Sequence, residues 1–219
     1  MIPEDLTRFF DNVRDTLETA YLSKTEPWSQ SGMSGPEERW ISLRKLTADC
    51  IDRPGSFLDI GCANGYLLEC CLRWTVERGI VIDPYGLDVS AGLLDLARQR
   101  LPQFADHFYE GNGYYWQPNQ RFDFVRTELV YVPGELERNY VIRLFDQLVA
   151  PGGRLLVANY TEEHPHPESN LLPGCHPTRF LLERLAELRL APIDSRTAYD
   201  PVKGRRVRVA VLTAESILD

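Results

Sequence analysis

The chain has 219 residues, which at roughly 100–200 residues per domain corresponds to one domain with room for a small appendage. Hydrophobic residues make up 43% and charged residues 26% of it, so the composition can support a buried core and is not that of a disordered protein. The 32 acidic side chains exceed the 24 basic ones, and the net charge of −8 argues against a surface that binds nucleic acid.

The sequence also bears on the cellular compartment. No apolar segment approaches the roughly 20 residues that span a bilayer. The first ten residues include Glu4 and Asp5 and lack the basic start and apolar centre of a secretion signal, so we expect a cytoplasmic protein without membrane association. No pattern requires a metal, and we interpret the cysteines as buried thiols in a reducing compartment: Cys50, Cys62, Cys70, Cys71 and Cys175.

Two helices and a loop are predicted before any strand. Apolar residues recur at three- and four-residue steps between about Pro3 and Leu22, which predicts an amphipathic helix. Lys24–Pro36 is rich in Ser, Gly and Pro and is predicted to be a loop, although it holds Trp28 and Met33. A second helix should begin near Pro36 and end before residue 53. We interpret residues 1–53 as a helical cap or lid on a core formed by residues 54–219.

After this segment, short apolar strands alternate with helical patterns, which predicts a parallel sheet covered on both faces. The predicted strands are 56–60, 85–89, 107–109, 122–126 and 154–160, and the predicted helices are 64–79, 90–100 and 135–149. A further helix is predicted around 177–190. Strands 192–199 and 205–212 are then joined by a turn at Lys203-Gly204, too short for a crossover helix, so the sheet should finish in an antiparallel hairpin.

The sharpest local feature is the segment FLDIGCANG, residues 57–65, which is predicted to run from a strand through a turn of small residues into a helix. Gly61 and Gly65 allow unusual backbone dihedral angles and a close approach of a ligand to main-chain atoms. In an open α/β sheet, ligands bind outside the carboxyl ends of the strands, where this turn lies. Asp88, 23 residues after Gly65, ends the next strand and could accept hydrogen bonds from the two hydroxyls of a ribose.

The type of nucleoside follows from the spacing of the turn. A dinucleotide fingerprint requires G-x-G-x-x-G, whereas this turn is D-x-G-x-A-x-G, with Asp59 two residues before the first glycine. A carboxylate there would repel a pyrophosphate but suits an ammonium group. No Gly-Lys-Ser or Gly-Lys-Thr of a P-loop occurs. The features favour a ligand with a ribose, an adenine-like base and a cationic amino-acid tail.

With these features in this order, the chain resembles the class I S-adenosylmethionine-dependent methyltransferases of the small-molecule type, from about Pro54 onward. The resemblance rests on the glycine turn, Asp88, the Gly111-Asn112 turn, the segment FDFV at 122–125, the segment PGG at 151–153 and the closing hairpin. It implies a Rossmann-like three-layer α/β sandwich. Its seven-stranded, mostly parallel sheet would have the order 3-2-1-4-5-7-6, with the last strand antiparallel.

The resemblance also implies a role for individual residues. Asp59 and Gly61 would hold the methionine ammonium of S-adenosylmethionine, Gly65 would allow close passage at the helix start, and Asp88 would bind the ribose. Asn112 stands where the family often has an aspartate facing the adenine amino group, and Ala63 replaces the middle glycine. Neighbouring residues complete the expected binding site for the cofactor and for its product, S-adenosylhomocysteine: Trp28, Cys62, Val89, Gly113, Glu128 and Leu129.

The acceptor is expected beyond the fourth and fifth strands. Tyr131 and Tyr160 offer flat apolar surfaces with polar tips. Glu128, Tyr131, His164 and His166 are the candidate catalytic residues, and a base is needed only if the acceptor carries a proton that must leave. We expect methyl transfer to a small molecule. A non-catalytic nucleoside-binding module and a nicotinamide-dependent oxidoreductase are the alternatives. The sequence leaves open the acceptor, the methylated atom, the base and the oligomeric state.

Overall fold

The computed structural model describes residues 4–162 and 180–218. Its helices are α1 (Glu4–Leu22), α2 (Glu37–Asp49), α3 (Tyr66–Val76), α4 (Ala91–Arg100), α5 (Glu137–Gln147) and α6 (Leu181–Glu187). Its strands are β1 (Gly55–Ile60), β2 (Ile82–Asp88), β3 (Phe108–Glu110), β4 (Phe122–Thr127), β5 (Val149–Glu162), β6 (Asp194–Asp200) and β7 (Arg205–Leu212). Within these ranges, none of the helices is both long and apolar enough to cross a membrane.

The strands of the described residues form one sheet in the order β3-β2-β1-β4-β5-β7-β6. Strands β1 to β5 pair in parallel, whereas β7 is antiparallel to both β5 and β6. The predicted strand order and the predicted antiparallel hairpin are therefore confirmed. The register places Asp59 of β1 directly beside Arg126 of β4 at the carboxyl edge of the sheet.

Alternating strand residues fill two apolar layers, one on each face of the sheet. Phe57 and Phe124 point to the face covered by α2, α3 and α4, where Trp40 is fully buried. Leu58 and Val125 point to the face covered by α5 and α6. Because α2 packs in the first layer, it is part of the folded body although it lies inside the predicted 1–53 cap. That division of the chain stays a prediction.

Strand β2 begins three residues before its predicted start. The strand includes Pro84, which cannot donate a backbone hydrogen bond. The Pro84 carbonyl faces the β3 side and lies 2.9 Å from Nδ1 of His107, whereas β3 pairs with β2 only from Gly86 onward. Position 84 therefore faces a part of the β2 edge where β3 does not pair, so the missing N–H of Pro84 removes no hydrogen bond of the sheet.

Strand β5 is also longer than predicted, because Pro151-Gly152-Gly153 does not end the pairing with β4. The register instead shifts between Phe122, which pairs with Val149, and Phe124, which pairs with Arg154. The extra residues form a bulge, and Gly152 takes a φ of +73° there. Among the described cysteines, Cys50, Cys62, Cys70 and Cys71 are buried free thiols, as expected.

Candidate active site

A cavity of about 290 Å³ lies at the carboxyl edge of the sheet. Its floor is formed by the ends of β1, β2 and β4 with the turns that follow them, and its roof by one face of α1. The roof residues are Phe10, Val13, Arg14, Leu17 and Tyr21. Helix α1 thus covers the edge at which ligands bind in open α/β sheets.

The turn between β1 and α3 holds an unusual run of backbone conformations. Gly61, Ala63 and Gly65 have φ values of +75°, +48° and +72°, all in the left-handed region. The N–H groups of Gly61 and Cys62 both donate to the Leu87 carbonyl, at 2.7 and 3.2 Å, so the turn is fixed to the end of β2. Ala63 takes the left-handed conformation that the middle glycine of the motif would adopt without a steric penalty.

A contact with Tyr131 explains why position 61 requires glycine. A Cβ at Gly61 would collide with the Tyr131 hydroxyl, whereas a Cβ at Gly79, which has a nearly equal φ of +73°, would meet nothing within 4 Å. We expect Gly79→Ala to lower the free energy of unfolding by about 1–2 kcal/mol, through backbone strain alone. Gly61→Ala should lower it by at least about 1 kcal/mol more, since this substitution also displaces Tyr131.

Urea unfolding of both alanine variants measures this difference in the free energy of unfolding. The excess cost of Gly61→Ala should shrink when it is introduced into a Tyr131→Ala background, because the colliding side chain is then absent. Equal costs for the two glycine substitutions in the wild-type background would contradict the contact.

Asp88 ends β2 and faces the cavity. Its Oδ2 accepts the Ala63 N–H at 2.8 Å, and its Oδ1 accepts the Ser90 N–H at 2.9 Å. The Ser90 hydroxyl in turn accepts the Leu93 N–H and caps α4. Burial raises the pKa of the Asp88 carboxyl, and these backbone donors oppose that shift. Each carboxylate oxygen has a further lone pair with which to accept a hydroxyl donor of a ligand.

The turn after β3 lies beside Asp88. The Gly111 N–H donates to the Asp88 carbonyl at 2.9 Å, and the Asn112 Oδ1 accepts the Tyr114 N–H at 2.7 Å. One of the two acceptor positions of the Asn112 amide oxygen is therefore used within the chain. A Cβ at Gly113 would lie 2.7 Å from Cγ2 of Ile60, so only glycine fits there. Gly111, Asn112 and Gly113 all line the cavity.

A buried charged cluster lies at the ends of β1, β4 and β5. We call it the Arg126 cluster, and it consists of Asp59, Arg126, Glu128, Tyr131 and Tyr160. The Arg126 Nη1 lies 3.2 Å from Asp59 Oδ1 and 3.1 Å from the Tyr131 hydroxyl. The Arg126 Nη2 donates to Glu128 and lies 3.4 Å from the Tyr160 hydroxyl. The Tyr131 hydroxyl donates to Glu128 Oε1 at 3.0 Å. All five residues line the cavity, and Arg126 is only 2% exposed.

Comparison with known proteins connects this geometry with a family. A family model described as a methyltransferase domain matches residues 34–188, more than half of the chain. The chain belongs to this methyltransferase family. Two trans-aconitate 2-methyltransferases, from Rhodopseudomonas palustris strains BisB18 and HaA2, are each 32% identical to it over 158 residues. The matched region covers 70% of the methyltransferase chain but only 58% of each of these relatives.

Solved structures share the fold of the methyltransferase. The N-methyltransferase NodS from Bradyrhizobium japonicum WM9, in complex with S-adenosylhomocysteine, aligns with a TM-score of 0.67 and 18% identity, covering 92% of this chain and 98% of NodS. The 1,6-didemethyltoxoflavin-N1-methyltransferase of Burkholderia thailandensis aligns with a TM-score of 0.65 and 17% identity, covering 97% and 91%. S-adenosylmethionine is the methyl donor of this family and thus the cofactor of this enzyme.

The methyltransferase brings most of the predicted site residues to one cavity. The cavity is lined by Asp59, Gly61, Cys62, Asp88, Val89, Asn112, Gly113, Glu128 and Tyr131. Three predicted residues lie elsewhere. Trp28 packs on Tyr66 and donates to the Gly35 carbonyl, Gly65 is the N-cap residue before α3, and Leu129 is buried in the core under α5. His164 and His166 lie outside the described residues.

Asp59 is paired within the chain. The resemblance implies that it holds the methionine ammonium, which stays a prediction; in the methyltransferase it is 1% exposed and forms an ion pair with Arg126. Burial raises the pKa of the Asp59 carboxyl to about 6, although the charge of Arg126 opposes the shift. Arg126 is a residue of this cavity that was not predicted from the sequence. The available signal was a basic residue directly after the apolar Phe124-Val125 near the end of strand β4.

The pKa of Asp59 has a testable consequence for stability. Because it is higher in the folded chain than in the unfolded chain, the folded state binds more protons between about pH 4 and pH 6. The contribution of Asp59 to the free energy of unfolding should therefore fall as pH rises through this window, by at most about 3 kcal/mol, and stay level above it.

Asp59→Asn removes this titration. The difference in unfolding free energy between wild type and Asp59→Asn should decrease from pH 4 to pH 6, as measured by urea unfolding at each pH. Asp95→Asn, which removes a solvent-exposed carboxylate of α4, is the control. A difference that instead grows with pH would contradict the raised pKa.

Proposed function

We propose that this methyltransferase moves a methyl group from S-adenosylmethionine to a small-molecule acceptor by in-line displacement, chiefly by aligning the two and excluding water. The observation that carries the proposal is Asp88. Its half-buried carboxylate is fixed by two backbone N–H groups and lines a roofed cavity next to the left-handed turn at residues 61–65. This environment suits a ribose diol, because a carboxylate accepts both hydroxyl protons.

The residues around the cavity fit the remaining parts of the cofactor. The backbone of Gly61, Cys62 and Ala63 would border its methionine portion, and the turn at Gly111–Gly113 would border its adenine. Arg126 neutralises Asp59, so in our proposal Asp59 fixes the shape of this end of the cavity through its ion pair. The aliphatic and aromatic side chains of α1 would cover the cofactor and keep water out.

The Arg126 cluster would border the acceptor. S-adenosylmethionine supplies a methyl group already activated by a sulfonium. Alignment of two reactants can contribute about 7–11 kcal/mol in favourable cases. Arg126 holds the Glu128 carboxylate and the Tyr131 hydroxyl in place, so both have a defined position from which to contact the acceptor. Glu128 is the described group best placed to take a proton. Burial raises the pKa of Tyr131, which keeps its hydroxyl protonated.

The test is methyl transfer in solution. The purified chain would be incubated with S-adenosylmethionine and separate acceptors, beginning with trans-aconitate because the matched relatives carry its name. Mass spectrometry would detect the methylated product, and a stoichiometric yield of S-adenosylhomocysteine would confirm the transfer. Asp88→Ala is the inactive control. A chain that binds neither S-adenosylmethionine nor S-adenosylhomocysteine in calorimetry would overturn the proposal.

A further inference from the structure

Asn112 is a cavity-lining residue whose amide oxygen is already used within the chain. It lies two residues after β3, is half-buried, and its Oδ1 accepts the Tyr114 N–H at 2.7 Å. The amide nitrogen, Nδ2, donates no hydrogen bond within residues 4–162 and 180–218. The two amide atoms diverge from one carbon, so the end of the side chain that is turned away from Tyr114 is the nitrogen, which is a donor.

The turn around Asn112 is held from several sides, so the amide has a fixed orientation. The Asn112 carbonyl accepts the N–H groups of Tyr115 and Trp116 at 3.0 and 2.8 Å. The Arg143 guanidinium of α5 donates to the Gly113 carbonyl at 3.3 Å and to the Trp116 carbonyl. Turning the amide over would set its NH₂ group against a backbone N–H and would lose the hydrogen bond that the oxygen now accepts.

An aspartate at position 112 would present the opposite polarity. One carboxylate oxygen could accept the Tyr114 N–H while the other accepted a proton from the amino group of adenine, which is the contact that the family resemblance implies for an aspartate. In asparagine, an NH₂ group stands in the place of the second oxygen. An NH₂ group that faces an amino group sets donor against donor, whereas the ring nitrogens of a purine are acceptors.

We propose that Asn112 binds the base of the cofactor as a donor, from Nδ2 to a ring nitrogen, and not as an acceptor from the amino group. The inference rests on the proposed function, which puts the adenine beside this turn. Asn112 is then a specificity-determining residue, because the hydrogen-bonding polarity of a site decides which analogues it rejects. The methyltransferase should require a ring acceptor of the base and tolerate the loss of the amino group.

Calorimetry with altered bases tests this polarity in the wild-type protein. The ligands are S-adenosylhomocysteine, its 6-deamino analogue, which lacks the amino group, and its 1-, 3- and 7-deaza analogues, each with a carbon in place of one ring nitrogen. The 6-deamino analogue should bind within about threefold of S-adenosylhomocysteine. One of the deaza analogues should bind about 10-fold or more weakly, because it leaves the Nδ2 donor unpaired.

Asn112→Asp reverses the free end of the side chain and keeps an oxygen for the Tyr114 N–H. In this variant the 6-deamino analogue should bind about 10-fold or more weakly than S-adenosylhomocysteine. The deaza analogue that wild type discriminates against should no longer be at a disadvantage. Asn119→Asp is the matched control, since it adds the same charge at an exposed position seven residues further on, and it should keep the wild-type ranking of the ligands.

The wild-type series tests the polarity even if Asn112→Asp does not fold. A loss of about 10-fold or more with the 6-deamino analogue in wild type would overturn the proposal, because the amino group would then be the one that is bound. Equal binding of all five ligands by wild type would also overturn it, as would an unchanged ranking in folded Asn112→Asp. A wild-type chain that binds no S-adenosylhomocysteine would instead count against the proposed function.

Discussion

Replacing Asp88 with alanine should weaken S-adenosylhomocysteine binding by about 100-fold or more. Two hydrogen bonds from the ribose hydroxyls to a carboxylate are each worth about 1.5–3 kcal/mol, so their joint loss costs at least about 3 kcal/mol. The substitution also frees the Ala63 and Ser90 N–H groups that now fix the turn. Isothermal titration calorimetry measures the effect directly.

Two further variants show whether the effect of Asp88→Ala is specific. Asp88→Asn keeps an acceptor oxygen and should bind with an affinity between those of wild type and Asp88→Ala. Asp95→Ala, on the exposed side of α4, should bind as wild type does. Cofactor affinity retained in Asp88→Ala, with a normal thermal midpoint, would show that the ribose lies elsewhere.

Placing a carboxylate in the roof of the cavity should abolish turnover by opening α1. Val13 is buried among the cavity-lining residues of α1, so Val13→Asp would bury an unpaired charge unless the helix leaves the body. We expect the helix to detach and turnover to fall about 100-fold or more, since the reaction would no longer be sheltered from water.

The neighbouring Asn12 is exposed, and Asn12→Asp is the matched control that adds the same side chain on the outer face of α1. Hydrogen exchange gives a second measurement. S-adenosylhomocysteine should protect the amides of α1 in wild type and in Asn12→Asp, but not in Val13→Asp. Full turnover in Val13→Asp would contradict a covering role for the helix.

The covering role also modifies an expectation from the sequence. The cap or lid predicted from the sequence spans residues 1–53 and so includes the loop at 24–36. In the structure, the Asn64 Nδ2 donates to the Pro27 carbonyl and to Gln30, and the Trp40 indole donates to Ser31. These bonds already fix much of the loop, so α1 should show the larger change in exchange on cofactor binding.

Much of the fold could be predicted because the signals were local. The change from helical to alternating periodicity located the sheet, and the short Lys203-Gly204 turn required an antiparallel hairpin. The glycine turn and Asp88 could be located for the same reason. Each lies at the end of a predicted strand, and the carboxyl ends of parallel strands meet at one edge.

The rest of the site depended on packing that no local pattern encodes. The apolar stripe of α1 shows that one face is buried, but not that this face covers the cavity. After β4, a short helical turn directs Leu129 into the core and Val130 to the cavity, and spacing alone did not distinguish them. The ion pair of Asp59 with Arg126 joins residues 67 positions apart, so it became visible only in the paired strands.

The hydrogen bonds of Asn64 determine about which point helix α1 can rotate. They fasten the chain at Pro27 and Gln30, five to eight residues after α1 ends, whereas Phe10 toward the other end of the helix packs on the rings of Tyr114 and Tyr115. Its 19 residues give it a length of about 28 Å at 1.5 Å per residue. A rotation of about 10° at the fastened end would therefore carry the far end through about 5 Å. Small changes of backbone angle near Ser23 would be enough to uncover the cavity for a small molecule, while the glycine turn below stays fixed.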